Sequence, residues 1–116
     1  MTGLVQDDIS ASDLLDCEKL YALIHQRYIL TAPGLQLIKH KILRGECGFC
    51  PRVLCPRQPV IPYGEHAEFG KSGTRLYCPN CSRLYDPDYE RHRRLDGSHF
   101  GPNLAAEIML TFPGLK

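Results

Sequence analysis

Two close pairs of cysteines constrain this chain more than anything else in it. Cys50-Pro-Arg-Val-Leu-Cys55 is followed by 22 residues and then by Cys78-Pro-Asn-Cys81. Each pair can present two thiolates from one tight turn, and zinc takes four thiolates at about 2.3 Å in a tetrahedron. Pro79 fixes φ inside the second turn and removes an N–H from it. The spacing predicts a four-cysteine zinc ribbon. Four thiolates close the coordination shell and leave no position for water or substrate, so the metal is expected to be structural. The spacing keeps one ambiguity. Cys47 stands three residues before Cys50, which is also knuckle spacing and the commoner form. Cys55 lies between Pro51 and Pro56, in a segment that reads as a turn. On spacing alone, Cys47 and Cys55 are level as the fourth ligand beside Cys50, Cys78 and Cys81.

Six cysteines in 116 residues could instead mean a disulfide framework. The first 20 residues argue against it. They carry Asp7, Asp8, Asp13, Asp16 and Glu18, with no basic start and no apolar segment of the secretory kind. The expectation is an intracellular chain, cytoplasmic and nuclear, whose thiols stay reduced and free to take metal. No apolar run approaches the ~18 residues of a membrane span. The formal net charge of +1 supplies no broad positive field for nucleic acid.

The remaining sequence divides near residue 44. Residues 1–9 read as a frayed start. Ser10, with Ser12 competing, caps a helix that runs to about Leu30. Cys17, Leu20, Tyr21, Ile24 and Tyr28 share one stripe of it, widened by Leu14, Leu23 and Ile29. Cys17 on that stripe reads as a small buried hydrophobe, and His25 as an ordinary, partly exposed histidine. Thr31 caps a second helix with Pro33 in its first turn and Gly45 just past its end. Leu35, Ile38 and Ile42 repeat along it, with Leu43 alongside; His40, between Lys39 and Lys41, reads as solvated. The two helices are expected to form an αα-hairpin over 1–44. The metal module then fills 45–116. Residues 51–54 suit a short strand, and 58–73 a loop marked by Pro59, Pro62, Gly64, Gly70 and Gly73. Thr74–Tyr77 and Ser82–Tyr85 alternate polar and apolar and suit a hairpin with the second knuckle at its tip. Asp86-Pro87 and Asp96-Gly97 mark turns. Leu104, Ile108 and Thr111 define a short last helix, ended by Pro113-Gly114. The expected fold class is α+β: a mostly helical N-terminal part, then a zinc ribbon held by four cysteines, with a short C-terminal helix.

Four blocks of this sequence together resemble the regulatory β subunit family of casein kinase II. They are Tyr21-Ala-Leu-Ile-His-Gln-Arg-Tyr-Ile-Leu-Thr31, Gly48-Phe-Cys-Pro-Arg-Val-Leu-Cys55, Leu76-Tyr-Cys-Pro-Asn-Cys81 and Asp96-Gly-Ser-His-Phe-Gly101. The resemblance covers about Tyr21 to Pro113, in order and with similar gaps. It implies the ligand set Cys50, Cys55, Cys78 and Cys81, with Cys47 a bystander and one structural zinc per chain. It implies no catalytic residues. It implies a non-catalytic regulatory subunit that dimerises through its zinc module and bridges catalytic subunits of a serine/threonine kinase. Pro51, Val53 and Leu84 match positions at the family's dimer contact. Family members usually have a longer helical start with a serine-rich, phosphorylatable segment and an acidic loop, and a tail beyond the Pro113 position that grips the catalytic subunit. The expectation for these 116 residues is therefore a zinc-dependent dimer that binds that subunit weakly or not detectably.

Two rival readings are weaker. Glu68-Phe-Gly70 and His92-Arg-Arg94 faintly echo kinase motifs, but in reversed order and without the aspartates or a nucleotide loop. Arg91-His-Arg-Arg94 with Tyr85 and Tyr89 offers a basic cluster and stacking rings, the alternative of a nucleic-acid-binding or transcription-associated ribbon. The near-zero net charge favours a solvated turn there, or a seat for an anionic segment of a partner.

Overall fold

Ser10 and Thr31 start the first two described helices by the same chemistry. In the computed structural model, which describes residues 10–87 and 94–115, the Ser10 hydroxyl accepts from the Asp13 N–H at 3.1 Å. That cap opens α1, Ala11–Tyr28. The Thr31 hydroxyl accepts from the Gly34 N–H at 3.2 Å and opens α2, Ala32–Leu43, with Pro33 in its first turn. The close approach of the two helix ends admits only glycine at Gly34, in the first turn of α2, because a Cβ there would collide with the Tyr28 carbonyl.

α1 departs from its expected packing. Cys17, Leu20, Tyr21, Ile24 and Tyr28 are all exposed, and Cys17 is not the buried hydrophobe that its stripe suggests. Among the described residues of α1, only Ala22 is buried. The helix rests on the body by a more polar face. His25 Nδ1–H donates to the His99 carbonyl at 2.6 Å, and Gln26 Nε2 donates to the Ser98 carbonyl at 2.6 Å. The rings of Tyr21 and His25 lie against His99. α1 thus packs on the 3-10 turn Gly97–His99 rather than along α2. Periodicity locates an apolar face, but it does not say what covers that face.

Three short strands follow: β1 Ile61–Tyr63, β2 Arg75–Cys78 and β3 Arg83–Tyr85. They form one antiparallel sheet in the order β1-β2-β3. The β2–β3 hairpin carries the second knuckle at its tip, as the alternation predicts. The strand expected over 51–54 is absent; those residues are irregular and exposed. A strand lies instead at β1, within the stretch read as loop. Pro59 and Pro62 concealed it. Proline cannot donate to a ladder, but Pro62 is tolerated because β1 is an edge strand.

α3, Leu104–Thr111, and the 3-10 turn Pro113–Leu115 complete the described elements. Ile29, Leu35, Ile38, Ile42, Ile61, Leu104, Ala105 and Ile108 pack into one aliphatic core. That core draws on α2, β1 and α3, so it takes residues from both sides of residue 44. A second, smaller cluster gathers Cys50, Cys55, Val60 and Cys78. Gly64 holds the sheet close to the 3-10 turn: a Cβ there would strike the Gly97 carbonyl. Asp96 fixes that turn, accepting from the Ser98 N–H at 2.9 Å and the Gly70 N–H at 2.8 Å. No helix among the described residues is long and apolar enough to cross a membrane. The frayed start read over 1–9, together with Tyr89, Arg91, His92 and Arg93 of the basic cluster, lies outside the described residues.

Candidate metal centre

The cluster is assembled from two turns. In the first, the Cys50 N–H donates to the Gln58 carbonyl at 2.9 Å and the Cys55 N–H to the Arg52 carbonyl at 3.0 Å. The chain folds back at Arg57, whose φ of 58° is left-handed. In the second, Cys78 ends β2, and the Ser82 N–H closes the turn onto the Cys78 carbonyl at 2.7 Å. Ser82 is also left-handed, at φ 56°. The Cys81 N–H points at the Cys78 sulfur at 3.4 Å, a bond that holds two sulfurs of one short turn on the same side.

The sulfurs of Cys50, Cys55, Cys78 and Cys81 all lie within 4.8 Å of one another. The Cys50–Cys81 separation is 3.8 Å and the Cys55–Cys78 separation 3.9 Å. A tetrahedron of four sulfurs, each about 2.3 Å from a zinc ion, has edges of about 3.8 Å. The donor set and its spacing therefore fit a closed four-thiolate metal site. They fit zinc, though the spacing does not by itself identify the metal. Cys47 takes no part. It packs against the aliphatic core, and burial pushes its thiol up to about 11. Among the described residues no other group of three or more His, Cys, Asp or Glu side chains comes together in this way.

As thiols the four are not equivalent. A backbone hydrogen bond from Gln58 acts first on Cys55 and, with Asn80, brings it down to about 7 despite burial. The Asn80 side-chain amide donates to the Cys55 sulfur at 3.6 Å. Burial dominates at Cys78 and pushes it up to about 12. A buried thiol with so high a value does not ionise alone near neutral pH; a bound cation is what displaces its proton. The site can hold a metal, and through it pin the knuckle segments and the sheet together. A closed shell of thiolates gives it no open position for catalysis.

The proposed dimer-contact residues sit near this cluster with different exposures. Val53 is 95% exposed and its neighbour Leu54 86%. Pro51 is exposed, and Leu84 is half-buried. Leu54, Asn80, whose amide reaches the Cys55 sulfur, and Tyr85, which packs against the cluster, carry no signal in the sequence as parts of the site. Spacing marks ligands, whereas these act by contacts that form only after the chain folds.

Comparison with known proteins gives a consistent family. A model of the casein kinase II regulatory subunit matches residues 5–116. Casein kinase II subunit beta' of Drosophila melanogaster is 44% identical over 115 residues, 98% of this chain and 52% of that protein. Casein kinase II subunit beta of Dictyostelium discoideum is 43% identical over 96 residues, 83% of this chain and 36% of that protein. The Suppressor-of-stellate-like protein of Drosophila melanogaster is 38% identical over 127 residues, 99% of this chain and 58% of that protein. The chain thus spans roughly a third to somewhat over half the length of these curated relatives. The match runs through both knuckles and nearly the whole sequence, and it shows that this chain belongs to the casein kinase II regulatory subunit family.

Proposed function

We propose that this chain is a non-catalytic regulatory subunit of a serine/threonine kinase of the casein kinase II type, acting as a zinc-dependent homodimer that scaffolds catalytic subunits. The observation that carries the reading is the sulfur quartet, close enough together to share one metal ion and set within a family match that runs over residues 5–116. Cys50, Cys55, Cys78 and Cys81 would hold one zinc per chain. The metal supplies a cross-link and charge compensation for the thiolates, and no reaction chemistry. Beside it, Val53 and Leu54 stand almost wholly in solvent, and two adjacent apolar side chains gain from being covered. A second copy placed by a two-fold axis would cover both sets at once, with Pro51 and Leu84 at the same contact. The thiols must stay reduced for this, which supports an intracellular setting, in cytoplasm and nucleus.

The ribbon as a nucleic-acid binder has less behind it. The Tyr85 hydroxyl is buried without a hydrogen-bond partner and sits against the cysteine cluster, so this ring is committed to packing. Net charge remains near zero. The proposal is tested by size exclusion with light scattering, on the zinc-loaded chain alone and mixed with the kinase catalytic subunit. The expected results are a dimer alone and a larger species in the micromolar mixture. A zinc-loaded monomer would contradict the dimer, and a dimer that never shifts even when a family-like tail is added after Lys116 would contradict the scaffold.

A further inference from the structure

The hydrogen bonds around the four sulfurs are unevenly distributed. Cys55 receives the Asn80 amide, and Cys78 receives the Cys81 N–H. Among the described hydrogen bonds, the Cys50 and Cys81 sulfurs have only each other, at 3.8 Å. Two thiolates cannot satisfy each other, since neither then has a proton to donate. In the same cluster, the Tyr85 side chain packs against the cysteines, and its hydroxyl is fully buried with no hydrogen-bond partner. A buried hydroxyl left unsatisfied keeps its full desolvation penalty, so such a group in a folded protein calls for an explanation. Cys50 belongs to the cluster, and Cys81 and Tyr85 both pack at its margin, so the unpaired donor and the unpaired acceptors share one small packed cluster.

We infer that Tyr85 is a positioning residue of the metal centre, its O–H donating to the thiolate edge formed by Cys50 and Cys81 once metal is bound. Four thiolates around a divalent cation leave a net negative charge in a largely buried site. Each N–H or O–H aimed at a sulfur spreads part of that charge, and outer hydrogen bonds of this kind orient the ligands and tune their hold on the metal. Asn80 and the Cys81 N–H do this for one edge of the quartet. Tyr85, at the end of β3, does it for the other. The fold supplies the geometry: Tyr85 pairs with Leu76 across the hairpin, two residues before Cys78 on β2. The hairpin that carries the second knuckle thereby carries the donor as well.

The inference rests on the metal-centre reading and is tested apart from it. Tyr85→Phe keeps the ring and removes only the hydroxyl. Tyr77→Phe makes the same change on a strand residue that packs against the aliphatic core instead. Wild type and both variants, as full chains, are loaded with zinc and titrated with a chromophoric chelator; a second set is loaded with cobalt and its sulfur-to-metal charge-transfer band recorded. Tyr85→Phe is expected to release zinc about 10–100-fold more readily and to move the cobalt band to longer wavelength. Tyr77→Phe should match wild type in both. If Tyr85→Phe matches wild type in zinc transfer and cobalt spectrum, the inference is overturned while the metal centre stands. If wild type takes up neither metal, the metal-centre reading falls and this inference with it.

Discussion

The two packed clusters among the described residues are built from different materials. The larger is aliphatic and joins α2, β1 and α3 through side chains such as Ile42, Ile61, Leu104 and Ile108, all almost fully buried. The smaller consists of three buried cysteines and Val60, with Leu76, Cys81 and Tyr85 at its margin. Burial alone favours the first, since each large aliphatic side chain taken out of water contributes about 1.5–3 kcal/mol. The second has little such area. Its sulfurs gain chiefly when they share a cation, and structural zinc contributes about 10–16 kcal/mol of apparent binding free energy in small zinc-finger peptides. The difference teaches that one half of the fold should be largely indifferent to metal and the other should depend on it.

The largest expected effect comes from breaking the sulfur quartet. Cys78→Ser should lose its zinc and unfold the β2–β3 hairpin, a loss on the order of the ~10 kcal/mol that the site supplies. Elemental analysis and far-ultraviolet circular dichroism check this, with helical signal retained from the aliphatic half. Cys55→Ser should do the same. Zinc kept by Cys55→Ser and lost by Cys47→Ser would reverse the ligand assignment.

Next in size is a cavity in the aliphatic core. Ile108→Ala should cost about 2–5 kcal/mol of stability and leave one zinc per chain. Denaturant unfolding combined with a metal assay separates the two, and a large loss of zinc at full folding would show that the clusters are not independent. Val53→Glu should weaken the proposed dimer by at least tenfold, because an unpaired charge would enter a dry contact, yet leave both clusters intact. Sedimentation at several concentrations reads this directly.

The smallest effect is a pH dependence at Cys47. Its folded-state pKa, about 11, lies above the ordinary value of 9.0 because the thiol is buried. The unfolded chain therefore releases this proton before the folded chain does. The folded state loses stability as pH rises from about 9 towards 11, by on the order of 1 kcal/mol after allowance for partial exposure. Cys47→Ser should remove that alkaline slope from the unfolding curve while zinc content stays unchanged.

What the sequence showed and hid follows the same division. Ser10 and Thr31 were legible as caps because their chemistry is local, a hydroxyl meeting an N–H three residues on. The knuckles were legible because ligand spacing is local too, although the choice between Cys47 and Cys55 needed the family resemblance. The β2–β3 hairpin followed from alternation. β1 was hidden by its prolines, whose tolerance depends on an edge position that no short stretch of sequence reveals. The exposure of Cys17, Tyr21 and Ile24 was hidden for a related reason: their stripe is apolar, but the body meets α1 through His25 and Gln26. Asn80 and Tyr85 carry no spacing signal, and their part in the site emerges only once the two knuckles have met.

The contrast between the clusters is tested most directly by hydrogen exchange with and without zinc, read by mass spectrometry. Chelation should strip protection from the amides of β2 and β3, Arg75–Cys78 and Arg83–Tyr85, while α2 and α3 keep most of theirs. Protection unchanged throughout, or lost equally from the helices and the ribbon, would contradict the account.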